Sequence, residues 1–132
     1  MSIHRLSHSS CSVFFGAAVF ALGSSACDPT QTIGVTSTSD SGDGSLRAAI
    51  QRANGSNAAV TIQLAPGEYV LSSCGKDDNN TAGDLDVTAS KPLVLTASGT
   101  GAVVIRQTCA GERVLDDHSG AALTLRGVTL SG

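Results

Sequence analysis

Aromatic residues are nearly missing from this chain: there is no Trp, one Tyr and three Phe in 132 residues. All three Phe (Phe14, Phe15, Phe20) fall in one apolar run near the N-terminus. Without that run Tyr69 is the only aromatic residue left, and a folded core has to be built from aliphatic side chains. Charge is scarce as well. With 8 Lys+Arg against 11 Asp+Glu and a formal net charge of -3, the chain lacks the basic footprint of a nucleic-acid binder. No apolar run of about 20 residues lies beyond the N-terminal stretch, which excludes a spanning helix there. There is no Cys-x-x-Cys, Gly-rich phosphate loop, nucleophile elbow or zinc motif. The length allows one small domain.

What is present begins with an address. Arg5 precedes the apolar stretch Val13 to Leu22, which is followed by Gly23-Ser24-Ser25-Ala26. This order of charge, short apolar run and small residues is that of a secretory signal peptide over residues 1–26. Cys27 sits at the expected cut, and Leu22 to Cys27 resembles a bacterial lipoprotein processing site. Ser24 stands where such sites carry an aliphatic residue, so lipidation of Cys27 and plain secretion both stay open. Lipid on Cys27 is the only membrane attachment expected. Cys11 leaves with the leader. In an oxidising compartment Cys74 and Cys109 then make the expected disulfide, and closing a loop of about 36 residues stabilises by roughly 4 kcal/mol.

Residues 27–31 read as a polar linker and residues 32–58 as a strand followed by a helix. Ile33 to Thr38 is β-prone and is broken by Asp40-Ser41-Gly42-Asp43-Gly44. Leu46, Ala49, Ile50 and Ala53 then form an apolar stripe at i, i+3, i+4 and i+7, predicting a helix from Leu46 to Ala53 with Ser45 as N-cap. Asn54-Gly55 is expected to end it in a positive-φ conformation. Arg47, Gln51 and Arg52 lie opposite the stripe and are expected to be wet. Residues 59–132 are short aliphatic runs separated by Gly, Asn, Asp and Ser. Strands are expected at Val60–Leu64, Tyr69–Leu71, Leu85–Val87, Leu93–Thr96, Val103–Arg106, Arg113–Leu115, Leu123–Leu125 and Val128–Leu130. No second helix interrupts them, which excludes a doubly wound α/β sheet. Sandwiches and barrels usually carry core aromatics, so a stack of short strands built from Val, Leu, Ile and Ala suits the composition better. Leu93-Val94-Leu95 and Leu123-Thr124-Leu125 stand 30 residues apart, within the period of such stacks.

The run Ser39-Asp40-Ser41-Gly42-Asp43-Gly44-Ser45-Leu46-Arg47-Ala48-Ala49-Ile50-Gln51-Arg52-Ala53-Asn54 resembles the N-terminal segment of bacterial surface proteins of the CSLREA-domain, right-handed parallel β-helix type. Ile62 to Leu71, Gly83 to Val87 and Leu123 to Gly132 are similar to the same group. The resemblance implies an all-β fold: a right-handed parallel β-helix of about three coils over residues 59–132, open at its C-terminal end and capped by the preceding strand and α-helix. It lends no catalytic residues. Members of this group usually continue for more coils, so a truncated product is one expectation here.

Two acidic stretches carry the candidate chemistry. Asp77, Asp78, Asp84 and Asp86 are the candidate calcium ligands, because hard oxygen donors cluster there; their spacing fits no EF-hand, and a solvated loop with Asx turns is the stronger expectation. Asp116-Asp117-His118 invites comparison with the paired carboxylates of glycoside hydrolysis. Neighbouring strand residues point to opposite faces, so a polar corner with a surface histidine is expected instead. Arg106, Arg113 and Arg126 are the cations a polysaccharide lyase could use as base, but nothing in the sequence places them on one face. The expected function is an exported, non-enzymatic module of the cell surface, acting in adhesion or glycan contact, with a surface glycan or another cell-envelope component as partner and no cofactor beyond calcium. The alternatives are a fragment of a β-helix polysaccharide lyase or hydrolase, and a truncated product without a function of its own.

Overall fold

The computed structural model describes residues 29–132, so the signal-peptide cut and the candidate lipidation at Cys27 lie outside the described residues. Nine strands and one helix follow in order: β1 Thr30–Val35, α1 Leu46–Asn54, β2 Ala59–Leu64, β3 Gly67–Leu71, β4 Leu85–Val87, β5 Leu93–Ala97, β6 Val103–Gln107, β7 Leu115–Asp117, β8 Leu123–Arg126 and β9 Val128–Ser131. They form three sheets, ordered β1-β2-β5-β8, β3-β6-β9 and β4-β7, and every strand pair is parallel. From β2 onward the chain visits the three sheets in a fixed order, β2-β3-β4, then β5-β6-β7, then β8-β9.

The register explains the composition. Ile33, Ile62, Leu95 and Leu125 are aligned across the first sheet, as are Val60, Leu93 and Leu123. Tyr69, Ile105 and Leu130 are aligned across the second. Side chains alternate along each strand, so one face of each sheet supplies these aliphatic rows and the other the polar residues. Ile62, Leu64, Leu85, Val87, Leu95 and Ile105 are all fully buried. Stacked β-branched and Leu side chains match in width from strand to strand, which lets a core close without large aromatics. Tyr69 is buried among them and its hydroxyl donates to the Ala65 carbonyl at 2.9 Å. Cys74 and Cys109 form the disulfide expected from the sequence, joining the segments that follow β3 and β6.

Most of the expected elements are present, with instructive departures. The first strand starts at Thr30, inside the stretch read as linker, because its pairing with β2 begins at Thr30 opposite Ala59. The seventh strand is Leu115–Asp117 rather than Arg113–Leu115, since register with β4 sets Leu115 beside Leu85 and leaves Arg113 ahead of the ladder. The helix ends without positive φ: Gly55 sits at φ -85 and its N–H bonds back into the last turn. Its start is as expected, the Ser45 hydroxyl accepting from the Ala48 amide at 3.2 Å. Gly44 just before it has φ +77, and a Cβ there would collide with the Thr36 hydroxyl, so glycine is required at the turn into the helix.

The largest departure is Arg47. The helical wheel sets it on the wet face, yet it is only 2% exposed. Its guanidinium carries five N–H donors, and five bonds are made. Nε and Nη2 donate to Asp40 Oδ1 at 3.1 and 2.9 Å. Nη1 donates to the carbonyls of Ala82 and Asp84, both at 3.0 Å, and Nη2 to that of Gly83 at 2.9 Å. The other oxygen of Asp40 accepts the amides of Ser72 and Ser73 at 2.9 and 2.7 Å. One ion pair thus ties together the turn before α1, the helix, the end of β3 and the loop that leads into β4. Burial by itself would raise the pKa of Asp40, but the Ser73 and Ser72 amides and Arg47 outweigh it and hold the carboxyl below its usual range.

Candidate metal centre

The loop fastened by Arg47 carries most of the acidic residues singled out from the sequence. Asp77, Asp78, Asp84 and Asp86 all line one cleft of about 330 Å³, together with Lys76, Glu112, Arg113 and Asp116. The structure therefore gathers the four candidate calcium ligands and adds acidic residues from the next circuit of the chain.

Their individual roles differ. Asp77 folds its own loop, its carboxylate accepting the Thr81 hydroxyl at 2.6 Å and the amides of Asn79, Thr81 and Ala82. The Thr81 hydroxyl and amide contribute most, then the Asn79 and Ala82 amides, and together they lower its pKa to about 2. This is the Asx-turn geometry expected for the segment. Asp78 is exposed. Asp84 is buried and meets the Arg113 guanidinium at 3.3 Å.

Asp86 is of another kind. It lies in the middle of β4 and is 2% exposed, and its Oδ2 finds no hydrogen-bond partner among the described residues. Its backbone is fully satisfied: Asn80 Nδ2 and Asn54 Nδ2 donate to its carbonyl at 2.7 and 2.8 Å, and Asn80 Oδ1 accepts its amide at 2.9 Å. Asn54 Oδ1 also accepts the Thr88 amide, so two asparagine side chains stand where a neighbouring strand would pair with β4. Asn80 reaches this position from φ 56, a conformation that Asn tolerates well. Burial, then the nearby charges of Asp84, Asp78, Asp77 and Asp116, push the Asp86 carboxyl above its usual pKa.

Register supplies the rest of the site. Asp86 is the Cα partner of Asp116 in the β4–β7 pair, so the two carboxylates stack on the same face of the sheet. His118 lies two residues beyond Asp116 and shares that face. Asp116 Oδ2 is 3.0 Å from His118 Nε2 and 2.6 Å from Arg113 Nη2. One ligand atom from each of Asp86, Asp116 and His118 lies within 4.8 Å of the others. Asp117 points elsewhere, its Oδ1 accepting the Ser119 amide at 2.9 Å. The acidic pair of this segment is Asp86 with Asp116, across the sheet, rather than Asp116 with Asp117 along the chain.

His118 is exposed and follows the last residue of β7, at the polar turn in which Asp117 accepts the Ser119 amide, and its Nε2 reaches back to Asp116. The three arginines belong to different sheets: Arg106 in β6 pairs with Glu68 at 2.6 Å, Arg113 just before β7 bridges Asp84 and Asp116, and Arg126 ends β8. The signal that could have exposed the site was a second repeat. Leu85-Asp86-Val87 and Leu115-Asp116-Asp117 stand 30 residues apart, the same step as Leu93 to Leu123. No helix among the described residues is long and apolar enough to cross a membrane. No family model, curated protein or solved structure matches the chain.

Proposed function

We propose that this chain is an exported, non-enzymatic module of the bacterial cell surface, built as a right-handed parallel β-helix of the CSLREA-domain type and acting by adhesion or glycan contact. The observation that carries the reading is the fixed order in which the chain visits three parallel sheets, with like residues in register. A parallel strand crossover is right-handed in nearly all proteins, which supplies the hand. The Cys74–Cys109 disulfide fits an oxidising, exported setting. Strand β1 and helix α1 cap one end, and Arg47 is the bolt that holds this cap to the loop entering β4.

Contact with a partner is polar. The rows Thr32, Thr61, Val94, Thr124 and Gly34, Gln63, Thr96, Arg126 alternate with the buried rows of the first sheet. Hydroxyl and amide groups of this kind can hydrogen-bond sugar hydroxyls, while Tyr69, the one aromatic among the described residues, is buried and offers no stacking platform. Binding of this sort is weak per site and gains strength by multivalency. The test is an array of envelope polysaccharides probed with the disulfide-bonded chain displayed in several copies, alongside an assay for cleavage of the same glycans. Saturable binding without cleavage supports the reading. Release of reducing ends or of unsaturated uronate products would favour the lyase or hydrolase alternative, and no binding to any envelope component would remove the glycan-contact role.

A further inference from the structure

We infer that Asp86, Asp116 and His118 form a binding site for a divalent first-row transition-metal ion of the zinc class, independently of the surface-module reading. Acidic residues gather on many protein surfaces without holding an ion. Here the decisive feature is Asp86, a carboxylate that is 2% exposed, lines the cleft, and leaves Oδ2 without a partner. A buried carboxylate oxygen with neither hydrogen bond nor counter-ion is costly, and it sits in register beside a second carboxylate, a like-charge pairing that disfavours the strand pair. A cation between Asp86 and Asp116 removes both penalties at once.

The donor set selects the kind of ion. Two carboxylate oxygens and one imidazole nitrogen suit zinc and its neighbours, whereas calcium takes oxygen ligands only. Of the other carboxylates that line the cleft, Asp77 is engaged by its own loop and Asp84 by Arg113, while Asp78 and Glu112 stand outside the group whose ligand atoms come together. With metal–ligand distances of about 2.0–2.2 Å, the ligand atoms of a tetrahedral ion lie about 3.3–3.6 Å apart. Those of Asp86, Asp116 and His118 lie within 4.8 Å of one another, and His118, whose side chain is 56% exposed, is free to close in on an ion. Water would complete the coordination on the open side of the cleft. Arg113 is the competitor. Its side chain is 71% exposed and its guanidinium occupies Asp116 Oδ2, so an entering ion displaces it from Asp116 while its contact with Asp84 can persist.

The experiment is calorimetric titration of the disulfide-bonded chain beginning at residue 27 or 28 with ZnCl2, MnCl2 and CaCl2, paired with thermal melts in zinc and in chelator. His118 is the only histidine after residue 26, so imidazole ligation has a single source. The expected result is one saturable zinc site, weakened at least about tenfold in H118A and in D86N. Co2+ used as a spectroscopic probe should give visible bands that H118A abolishes. R113Q should bind zinc more tightly than the wild-type chain. D86N keeps the shape of the buried side chain and should melt higher than wild type in chelator while losing the zinc-induced shift, which separates loss of the site from loss of the fold. No saturable zinc binding up to millimolar ion, zinc affinity unchanged by H118A, or calcium binding tighter than zinc and indifferent to H118A would each overturn the assignment.

Discussion

Replacing Arg47 with Met tests the internal logic of this protein most sharply. Methionine keeps the aliphatic bulk but deletes all five donors, leaving Asp40 without its cation and the carbonyls of Ala82, Gly83 and Asp84 without the guanidinium. Removing one partner of a buried ion pair typically costs about 3–5 kcal/mol. Each carbonyl left unsatisfied costs about 1–3 kcal/mol unless water reaches it. Three such carbonyls could exceed the ion-pair figure, but the loop they belong to can open and hydrate, so a net loss of about 3–5 kcal/mol is expected. Against a total stability of about 5–15 kcal/mol for a domain of this size, that is a severe defect. The assay is urea unfolding at pH 7 of the disulfide-bonded chain, with R52A as comparator. Arg52 lies on the same helix and is exposed, so its loss should stay within about 0.5 kcal/mol. A loss under about 1 kcal/mol for R47M, or one equal to that of R52A, would refute the view that Arg47 fastens the cap and the acidic loop together.

Three further outcomes follow from the same contacts. Replacing Cys74 and Cys109 together with Ala should lower stability by about 2–4 kcal/mol, because the bridge closes a long loop in the unfolded chain; an unchanged urea midpoint under matched conditions would contradict this. Ile62 is fully buried in the middle of the first sheet, so I62A should cost about 2–5 kcal/mol in the same assay, while T61A on the opposite face should cost far less. Acid should destabilise the protein through Asp40 and Asp77. Their pKa values are lower folded than unfolded, so their stabilising contribution is complete above about pH 4 and is lost as pH falls through the folded values, to about 2 for Asp77. D77N should flatten that acid limb in pH-dependent urea titrations, and an unaltered limb would show that the Asp77 turn does not form.

The aliphatic core, the helix with its Ser45 cap and the disulfide could be read from the sequence because each rests on local pattern or on a residue's chemistry. Leu46, Ala49, Ile50 and Ala53 make their stripe at helical spacing whatever the rest of the chain does. The burial of Arg47 could not be read that way. A helical wheel describes one element, and what covers Arg47 is a loop some 35 residues later in the chain, as the Arg47–Ala82 bond shows. The same holds for the cleft. Asp77, Asp78, Asp84 and Asp86 were visible as an acidic stretch, but the pairing of Asp86 with Asp116 depends on parallel register, which short strands specify only through their neighbours. Alternation along the chain correctly separated Asp116 from Asp117 and could not say which residue would face Asp116 from the next strand.

Everything at the cleft depends on Asp86 and Asp116 lying side by side. The direct measurement is a backbone NMR experiment on isotopically labelled, disulfide-bonded protein, recording short proton–proton contacts between segments 85–87 and 115–117. The parallel register predicts interstrand contacts linking Leu85 with Leu115, Asp86 with Asp116 and Val87 with Asp117. A register shifted by one residue would turn Asp116 to the other face of the sheet, away from Asp86, and would contradict both the cleft and the metal site built upon it.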